Sequence, residues 1–274
     1  MARKPVTAGF APPALIINLD RDIVRWRSLS GALGGLGIAY QKVRAVDARK
    51  KINLIRRIVD REFVYPSENR NLTDAEIGCY LSHISALKRI VRQNLPAAMI
   101  FEDDVVFDDQ FQQFYQNDLP GFLAVSDIVK FEGIHYPHTS KSGFLIAQGA
   151  TSELVIRVKP TLGAAAYAVT RNGAIALLRA ASIPDRPYDH KLAYYDRHWV
   201  DYAETEPFLA RQADYTSNLE HERKVFDLDV DASRRLRRLQ NKLRAPSRAA
   251  LRFAYIAKFL IKRRLRTPRR ESLA

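Results

Sequence analysis

The chain has 274 residues, of which 47% are hydrophobic and 27% are charged, and this composition excludes global disorder. Residues 225–274 contain 15 Lys/Arg and 4 Asp/Glu, so +11 of the total net charge of +14 lies in this segment and residues 1–224 are close to neutral. A single cysteine, Cys79, excludes an intrachain disulfide framework. We find no apolar run as long as a signal-peptide core or a membrane span, and the default expectation is a cytosolic protein.

The first elements form a strand–helix–strand unit. Residues 14–19 are a short apolar run after Pro12-Pro13 and predict a buried strand. Apolar residues then recur at helical spacing as far as the glycines at 34 and 35, and residues 40–46 predict a second strand. This order is typical of α/β folds.

A helix is predicted over residues 73–94. Thr73 and Glu76 have the spacing of a capping box, in which each side chain satisfies a free backbone N–H. The predicted core-facing positions are Ile77, Leu81, Ile84 and Val91. Residues 97–101 follow as a buried strand that leads directly into Glu102-Asp103-Asp104.

Later segments give weaker signals. Residues 127–131 and 163–169 predict strands, and residues 172–181 predict a helix. Residues 132–160 contain Gly, Ser, His and Pro, so we expect a long loop there, the usual place for a substrate lid.

Three consecutive carboxylates follow the strand at 97–101. In open α/β sheets, ligands bind outside the carboxyl ends of strands. Alternation along an extended chain would direct Glu102 and Asp104 to one side and Asp103 to the other. Two converging carboxylates suit Mg²⁺ or Mn²⁺, which would neutralise a diphosphate. The triplet alone favours a solvated acidic turn, because acidic clusters at strand ends are common in turns.

Asp189 is the second candidate for chemistry. It lies in Pro187-Tyr188-Asp189-His190, which we predict to be a loop, and a carboxylate there can deprotonate an alcohol within hydrogen-bond reach. His190, His198 and His221 match no compact metal motif. Phosphate-binding glycine loops and the nucleophile elbow of hydrolases are absent from the sequence.

Together these motifs resemble glycosyltransferase family 25, which includes lipopolysaccharide glycosyltransferases and collagen galactosyltransferases. The most specific block is Glu-Ile-Gly-Cys-Tyr-Leu-Ser-His at 76–83, followed by the acidic triplet within Phe-Glu-Asp-Asp-Val at 101–105. Residues 15–21, with Arg25 and Ala-Val-Asp at 45–47, resemble the family's opening block, and residues 163–174 with 187–189 its C-terminal portion. The resemblance extends over about residues 14–224.

The resemblance implies a GT-A-like α/β fold, with a central mixed sheet flanked by helices, and a basic C-terminal helical tail beyond it. It implies a metal-assisted, inverting transfer from a UDP-sugar, most often UDP-galactose, to a glycan acceptor of lipopolysaccharide or another cell-surface polysaccharide. The expected cofactor is Mn²⁺ or Mg²⁺, held by Asp104 and Glu102. Asp189 is the expected catalytic base. The residues expected at the donor are Asn18, Arg25, Glu76, His83, Asp103, Asp127 and Lys130. Capping remains an equal alternative for Glu76.

The C-terminal segment predicts a membrane-surface tail, which gives domains at 1–224 and 225–274. Residues 232–270 contain 15 basic residues and no acidic one. Leu236, Leu239 and Leu243 indicate one helix, and residues 253–261 form the apolar centre of a second helix with basic flanks. This pattern suits an interfacial helix on an anionic leaflet. We therefore expect a lipid-linked acceptor and a peripheral position on the inner face of the cytoplasmic membrane.

Three other interpretations stay open. A solvated tail is one, and a basic nucleic-acid-binding protein or metal-dependent nuclease is another. We favour the membrane over nucleic acid because the aromatic residues of the tail lie within its apolar patch and not among the arginines. The third is a catalytically inactive relative that binds glycan.

Overall fold

The structure is a computed structural model that describes residues 10–47, 72–134, 143–181, 184–193, 200–213 and 250–261. The strands β1 to β10 are Ala14–Asn18, Tyr40–Arg44, Ala97–Glu102, Val105–Phe107, Ile128–Lys130, Gly143–Gln148, Glu153–Arg157, Ala166–Thr170, Tyr202–Glu206 and Ala210–Gln212. The helices α1 to α6 are Ile23–Gly35, Asp74–Arg92, Phe111–Gln113, Leu119–Val125, Arg171–Ala180 and Tyr188–Ala193, with a π-helical turn at Phe114–Asp118 between α3 and α4. Residues 250–261 form a further helix, α7.

Eight strands form one mixed sheet in the order β2-β1-β3-β8-β5-β9-β7-β6. β1 lies parallel to both β2 and β3, whereas β8 is antiparallel to β3 and β5. β4 and β10 pair separately as an antiparallel ribbon. The predicted fold class, α/β with a central mixed sheet flanked by helices, is confirmed.

The elements from β1 to β3 follow the sequence prediction closely. β1 is buried along its whole length and β3 along all but its last residue, as expected of central strands covered on both faces. The capping box of α2 is present: the Thr73 hydroxyl accepts from the Glu76 N–H at 3.1 Å, and the Glu76 carboxylate accepts from the Thr73 N–H at 2.9 Å.

The predicted core-facing positions of α2 all pack against hydrophobic residues, but they are not its most buried positions. Ile77 is buried, Leu81 is half-buried against it, and Ile84 and Val91 are half-buried against the main core. The apolar residues that the helix buries, besides Ile77, are Tyr80, Ala86, Leu87 and Ile90. The reason is that α2 packs against the sheet on one side and against α5 and α6 on another, so its buried surface is wider than one stripe and includes polar residues.

The prediction of a long loop over residues 132–160 is wrong. Instead of a long loop, β6 and β7 form an antiparallel hairpin, and β7 joins the main sheet through β9. The predicted lid is therefore not seen in the described part of this segment, and residues 135–142 lie outside the described ranges.

Asp189 lies in a helix and not in the predicted loop. Pro187 precedes α6, and Asp189 is in the first turn of that helix. A proline ring fixes φ near the helical value and is well tolerated where a helix begins.

The C-terminal helix α7 packs against the sheet domain. Its residues Tyr255, Ile256 and Phe259 are buried in the main hydrophobic core. The Tyr255 hydroxyl donates to the Val200 carbonyl, whereas Leu251 on the same helix is exposed. The helix predicted around 253–261 is confirmed, although three of its apolar side chains face the core and not solvent.

Other parts of the tail lie outside the described residues. These include the boundary at 224/225 and the helix predicted around Leu236, Leu239 and Leu243. Among the described helices, none combines the length and the hydropathy needed to cross a bilayer.

Candidate functional site

A cleft opens at the carboxyl ends of β1, β2 and β3. The chain leaves β1 toward β2 on one side and returns through α2 to β3 on the other side, so the strand order reverses between β1 and β3. Ligands of open α/β sheets bind at such a switch point. The cleft encloses about 780 Å³, including the space open to solvent, and its lining includes Arg25, Cys79, His83, Glu102 and Asp103.

Asn18 and Arg25 hold Asp103 at this switch point. The Asn18 amide, at the end of β1, donates to Asp103 Oδ2 at 2.6 Å and to the Asp22 carbonyl at 3.0 Å. Arg25, on α1, donates to Asp103 Oδ1 at 3.4 Å, and its guanidinium is 4.0 Å from Asp104 Oδ2. The opening block and the acidic triplet therefore form one constellation.

The three carboxylates of the triplet contact different elements of the fold. β3 ends at Glu102, and Asp103 and Asp104 form a turn before β4. The expected two-sided alternation does not apply because it requires strand geometry. Glu102 instead contacts α2, Asp103 contacts β1 and α1, and the Asp104 backbone carbonyl accepts from the Ala213 N–H at 2.8 Å.

Negative charge is concentrated at the triplet. Burial, with the nearby charges of Glu102 and Asp103, raises the pKa of Asp104 to about 7, although Arg25 opposes the shift. Burial also raises the pKa of Asp103, against the lowering effects of Asn18 and Arg25. Asp104 Oδ1 is buried and has no hydrogen-bond partner among the described residues. A buried oxygen without a donor can serve as a cation ligand, although the three carboxylates do not form one group of converging oxygens among the described residues.

His83 links the acidic triplet to two tyrosines. Its Nε2 is 3.2 Å from Glu102 Oε1, and its Nδ1 is 3.2 Å from the Tyr167 hydroxyl. The Tyr188 ring stacks on the His83 ring, with centroids 4.2 Å apart, and its hydroxyl is 3.0 Å from that of Tyr167. Cys79 lies one turn before His83 and donates its thiol to Glu102 Oε1 at 3.8 Å. Burial raises the pKa of the Cys79 thiol.

Asp189 and Glu132 flank the segment around Gly163. The Gly163 N–H donates to Asp189 Oδ2 at 3.4 Å, and the Ala165 N–H donates to Glu132 Oε2 at 3.1 Å. Gly163 has φ +96°, and a Cβ there would lie 2.6 Å from Glu132 Oε1, so only glycine fits. Asp189 does not line the cleft itself, although its charge raises the pKa values of Cys79 and Glu132.

Three residues that we expected at the donor lie elsewhere. Glu76 forms the capping box, so its structural interpretation is supported. Asp127 accepts from the Thr170 hydroxyl at 2.9 Å, and Thr170 pairs with Ala97 at the opposite end of β3 from Glu102.

Lys130 is the third expected donor residue that lies elsewhere, and its contacts give it a structural role. It is fully buried and donates to the carbonyl and hydroxyl oxygens of Thr161 and to the Leu162 carbonyl, at 2.9, 3.0 and 2.7 Å. Burial lowers its pKa. Neither Asp127 nor Lys130 lines the cleft, so we assign neither residue to the donor.

The sequence prediction missed Cys79, Tyr167 and Glu132. Cys79 and His83 are four residues apart on a helix, and this spacing places them on one face. That signal was available in the sequence. No local signal distinguishes Tyr167 from the other residues of a buried strand, because its contact with His83 comes from the pairing of β8 with β3.

The chain resembles known proteins over the elements that form the cleft. A sequence model described as "Glycosyltransferase family 25 (LPS biosynthesis protein)" matches residues 11–192, from before β1 to α6. The chain belongs to glycosyltransferase family 25. The family match contains the cleft, the acidic triplet, the Cys79–His83 face and Asp189.

Individual family 25 proteins match over stretches of different length. "Probable inactive glycosyltransferase 25 family member 3" of Rattus norvegicus is 32% identical over 115 residues, which are 40% of this chain and 20% of that protein. "Glycosyltransferase 25 family member" of Drosophila pseudoobscura pseudoobscura is 26% identical over 192 residues, 67% of this chain and 30% of that protein. "Procollagen galactosyltransferase 2" of Mus musculus is 44% identical over 48 residues, 18% of this chain and 8% of that protein. The chain thus matches a third or less of the length of each.

Proposed function

We propose that this family 25 glycosyltransferase transfers a sugar, galactose, from a UDP-sugar to a glycan acceptor in cell-surface polysaccharide synthesis, with inversion at the anomeric carbon. The observation that carries the proposal is the joining of Asn18, Arg25 and Asp103 at the switch point of the sheet, beside a buried oxygen of Asp104 that lacks a donor. Similarity to a protein named procollagen galactosyltransferase supports galactose as the sugar.

The cleft offers a binding place for the donor diphosphate. Arg25 is half-buried and lines the cleft, where its guanidinium can bind a phosphate oxygen. Asp104 and Glu102 are the residues that would hold Mn²⁺ or Mg²⁺, and such an ion neutralises the diphosphate and stabilises the departing UDP as a Lewis acid. The Asp103 carboxylate, which is hydrogen-bonded to Asn18 and Arg25, would accept hydrogen bonds from the ribose or the sugar.

Asp189 is the proposed base on the acceptor side. The acceptor hydroxyl gives its proton to the carboxylate while its oxygen forms a bond to the anomeric carbon, and the bond from that carbon to the UDP oxygen breaks. The N–H groups of Gly163 and His190 donate to the two oxygens of Asp189, at 3.4 and 2.8 Å, and so fix the carboxylate plane. Inversion follows because the acceptor attacks on the face opposite the leaving UDP.

A glycan-binding relative without turnover is the second candidate. It is favoured by one observation of the fold, that Asp189 does not line the cleft, and by similarity to proteins named inactive. The two candidates differ in turnover and not in donor binding, so an assay of product is needed to separate them.

The test is a UDP-release screen with the full chain across nucleotide sugars, with mass spectrometry of the glycan product. We expect release with UDP-galactose, and its loss in Asp104→Ala and in Asp189→Ala, while circular dichroism shows both variants folded. Asp109→Asn is the matched control, since Asp109 is an exposed carboxylate two residues beyond the end of β4. Turnover retained in both alanine variants would remove the assignments. UDP binding without release in the unaltered chain would favour the glycan-binding candidate.

We further propose that the C-terminal segment holds the enzyme on the anionic inner face of the cytoplasmic membrane, where a lipid-linked acceptor is available. Leu251, Phe253 and Ile261 of α7 are 62%, 51% and 61% exposed. Residues 232–270 supply 15 basic side chains, and each one near an anionic surface contributes about 1 kcal/mol.

Flotation with anionic liposomes tests the membrane proposal. Deletion of 232–274 is unsuitable because it would remove Tyr255, Ile256 and Phe259 from the core. The combined replacement of Leu251, Phe253 and Ile261 by serine alters only exposed positions and should reduce flotation. Flotation unchanged by the replacement, or equal on neutral liposomes, would contradict the proposal. Binding to an oligonucleotide in preference to liposomes would favour the nucleic-acid alternative.

A further inference from the structure

A second group of ligand atoms lies on the α2 side of Glu102. Cys79 Sγ, His83 Nε2 and Glu102 Oε1 all lie within 4.8 Å of one another. Cys79 and His83 are one turn apart on α2, and Glu102 ends β3, so two rigid elements fix the three atoms. Asp104, which we assign to the donor metal, is not part of this group.

The separations match tetrahedral zinc coordination. Zn–S bonds of about 2.3 Å and Zn–N or Zn–O bonds of about 2.0–2.1 Å, at tetrahedral angles, place sulfur and oxygen ligands about 3.6 Å apart and nitrogen and oxygen ligands about 3.3 Å apart. The observed distances are 3.8 Å from Cys79 Sγ to Glu102 Oε1 and 3.2 Å from His83 Nε2 to the same oxygen. Cys79 Sγ and His83 Nε2 lie within 4.8 Å of each other, against about 3.6 Å in such a site, so rotation of these side chains would bring the three atoms onto one ion.

The surroundings of His83 are those of a metal-binding histidine. Such a histidine donates its second ring N–H to a fixed acceptor, which sets the tautomer. His83 Nδ1 is 3.2 Å from the Tyr167 hydroxyl, which in turn is 3.0 Å from the Tyr188 hydroxyl. The His83 side chain is fully buried, whereas Glu102 retains 24% of its exposure at the cleft. A fourth coordination position would thus face the cleft.

We propose that Cys79, His83 and Glu102 form a binding site for Zn²⁺ or a metal of similar softness, with its fourth position open to the cleft. Thiolate and imidazole ligands select such metals over Mg²⁺ and Mn²⁺, which prefer oxygen. On binding, the Cys79 thiol releases its proton to solvent and His83 carries its proton on Nδ1. The site rests on ligand geometry and is independent of the transferase activity.

One consequence does rest on the proposed function. Glu102 is also one of the two carboxylates that we assign to the donor metal, so zinc at Cys79 and His83 draws it away from Asp104. Zn²⁺ is then expected to weaken the stabilisation of the protein by UDP with Mn²⁺ in a thermal shift assay. Absence of this effect alone would leave the zinc site in place and remove only the competition.

Cobalt absorption spectroscopy on the reduced, untagged full chain tests the site. Cys79 is the single cysteine of the chain, so a thiolate-to-Co²⁺ charge-transfer band in the near ultraviolet can arise only there. We expect this band and intense tetrahedral visible bands at one Co²⁺ per chain. One equivalent of Zn²⁺ should abolish them, and excess Mg²⁺ should not.

Variants separate a three-ligand site from a lone thiol. Cys79→Ser should remove the charge-transfer band, and Glu102→Gln should weaken Co²⁺ binding at least tenfold. His83→Ala should do the same, and Glu102→Gln keeps the test valid if loss of the buried imidazole prevents folding. His190→Gln is the control for loss of a histidine outside the group, and it should leave the spectrum unchanged. A folded chain without the band, or a band unaffected by both Glu102→Gln and His83→Ala, would overturn the proposal.

Discussion

Replacement of Glu132 by Gln should change the pH dependence of stability. Glu132 is 2% exposed, and burial raises its pKa from 4.5 to about 7, although Lys130 and the Ala165 N–H act in the opposite direction. Lys130 does not neutralise it by direct contact, because the Lys130 ammonium donates to oxygens of Thr161 and Leu162. We therefore expect a carboxyl group that is uncharged at pH 5 and is forced to ionise in the buried site at pH 8.

The sign and size of the effect follow from linkage. A group whose pKa is higher in the folded state stabilises the fold fully below its unfolded pKa, and this contribution is lost as the pH rises through the folded pKa. The shift from 4.5 to about 7 corresponds to about 3 kcal/mol, of which about 2.5 kcal/mol falls between pH 5 and pH 8. Gln does not titrate, so the stability of Glu132→Gln relative to the unaltered chain should rise by that amount across this interval.

Urea denaturation at pH 5 and pH 8 measures this difference. The comparison between the two pH values cancels any constant effect of the amide on the hydrogen bond from Ala165. Glu153→Gln, at a half-buried position on β7, is the matched control and should show no comparable change. If Glu132→Gln were instead less stable at pH 8 than at pH 5, relative to the unaltered chain, the carboxylate would be ionised and paired with Lys130, and the reasoning would fail.

Three further predictions concern packing, the polar network and the donor site. Ile256→Ala should lower the free energy of unfolding by about 3 kcal/mol, because Ile256 of α7 is buried in the main core. Leu251→Ala, at an exposed position of the same helix, should change it by about 0.5 kcal/mol or less. Equal effects of the two replacements in urea denaturation would show that α7 does not pack as described. Tyr167→Phe should lower the free energy of unfolding by about 1–3 kcal/mol in the same assay, since it removes the hydroxyl that His83 Nδ1 and the Tyr188 hydroxyl share. An unchanged free energy of unfolding would argue against this hydrogen-bond network. Asn18→Asp should weaken UDP binding at least tenfold in calorimetry. The replacement puts a second negative charge where the Asn18 amide donates a hydrogen bond to Asp103 at 2.6 Å. Unchanged UDP affinity would show that Asp103 is not part of the nucleotide-binding site.

The first half of the fold could be predicted because its signals are local. The apolar run of β1 and the capping box of α2 each specify an element from neighbouring residues alone. The hairpin of β6 and β7 was missed because its apolar runs are short and stand between polar segments, and β6 is an edge strand with exposed side chains. Only pairing with β9, distant in sequence, makes β7 a buried strand.

The candidate site could likewise be predicted only in part. The acidic triplet and the resemblance blocks predict that Asn18, Arg25 and Asp103 belong together, and the structure joins them. The directions of the carboxylates could not be predicted, because the turn at Asp103 and Asp104 contains no glycine or proline to mark it.

The positions of residues outside the acidic triplet also could not be predicted from local sequence signals. The misplacement of Asp127 has a tertiary cause, since its partners Thr170 and Asp201 lie at the far end of the sheet. The network of Tyr167 with His83 likewise exists only once β8 pairs with β3.

The central claim is that the carboxylates at the switch point bind a nucleotide diphosphate through a divalent ion. Isothermal titration of UDP into the full chain, with and without Mn²⁺, measures this directly. We expect binding that requires Mn²⁺ in the unaltered chain and in Asp109→Asn, and no measurable binding in Asp104→Asn. UDP affinity that is the same in Asp104→Asn, or no UDP binding by the folded unaltered chain in the presence of Mn²⁺, would contradict the account.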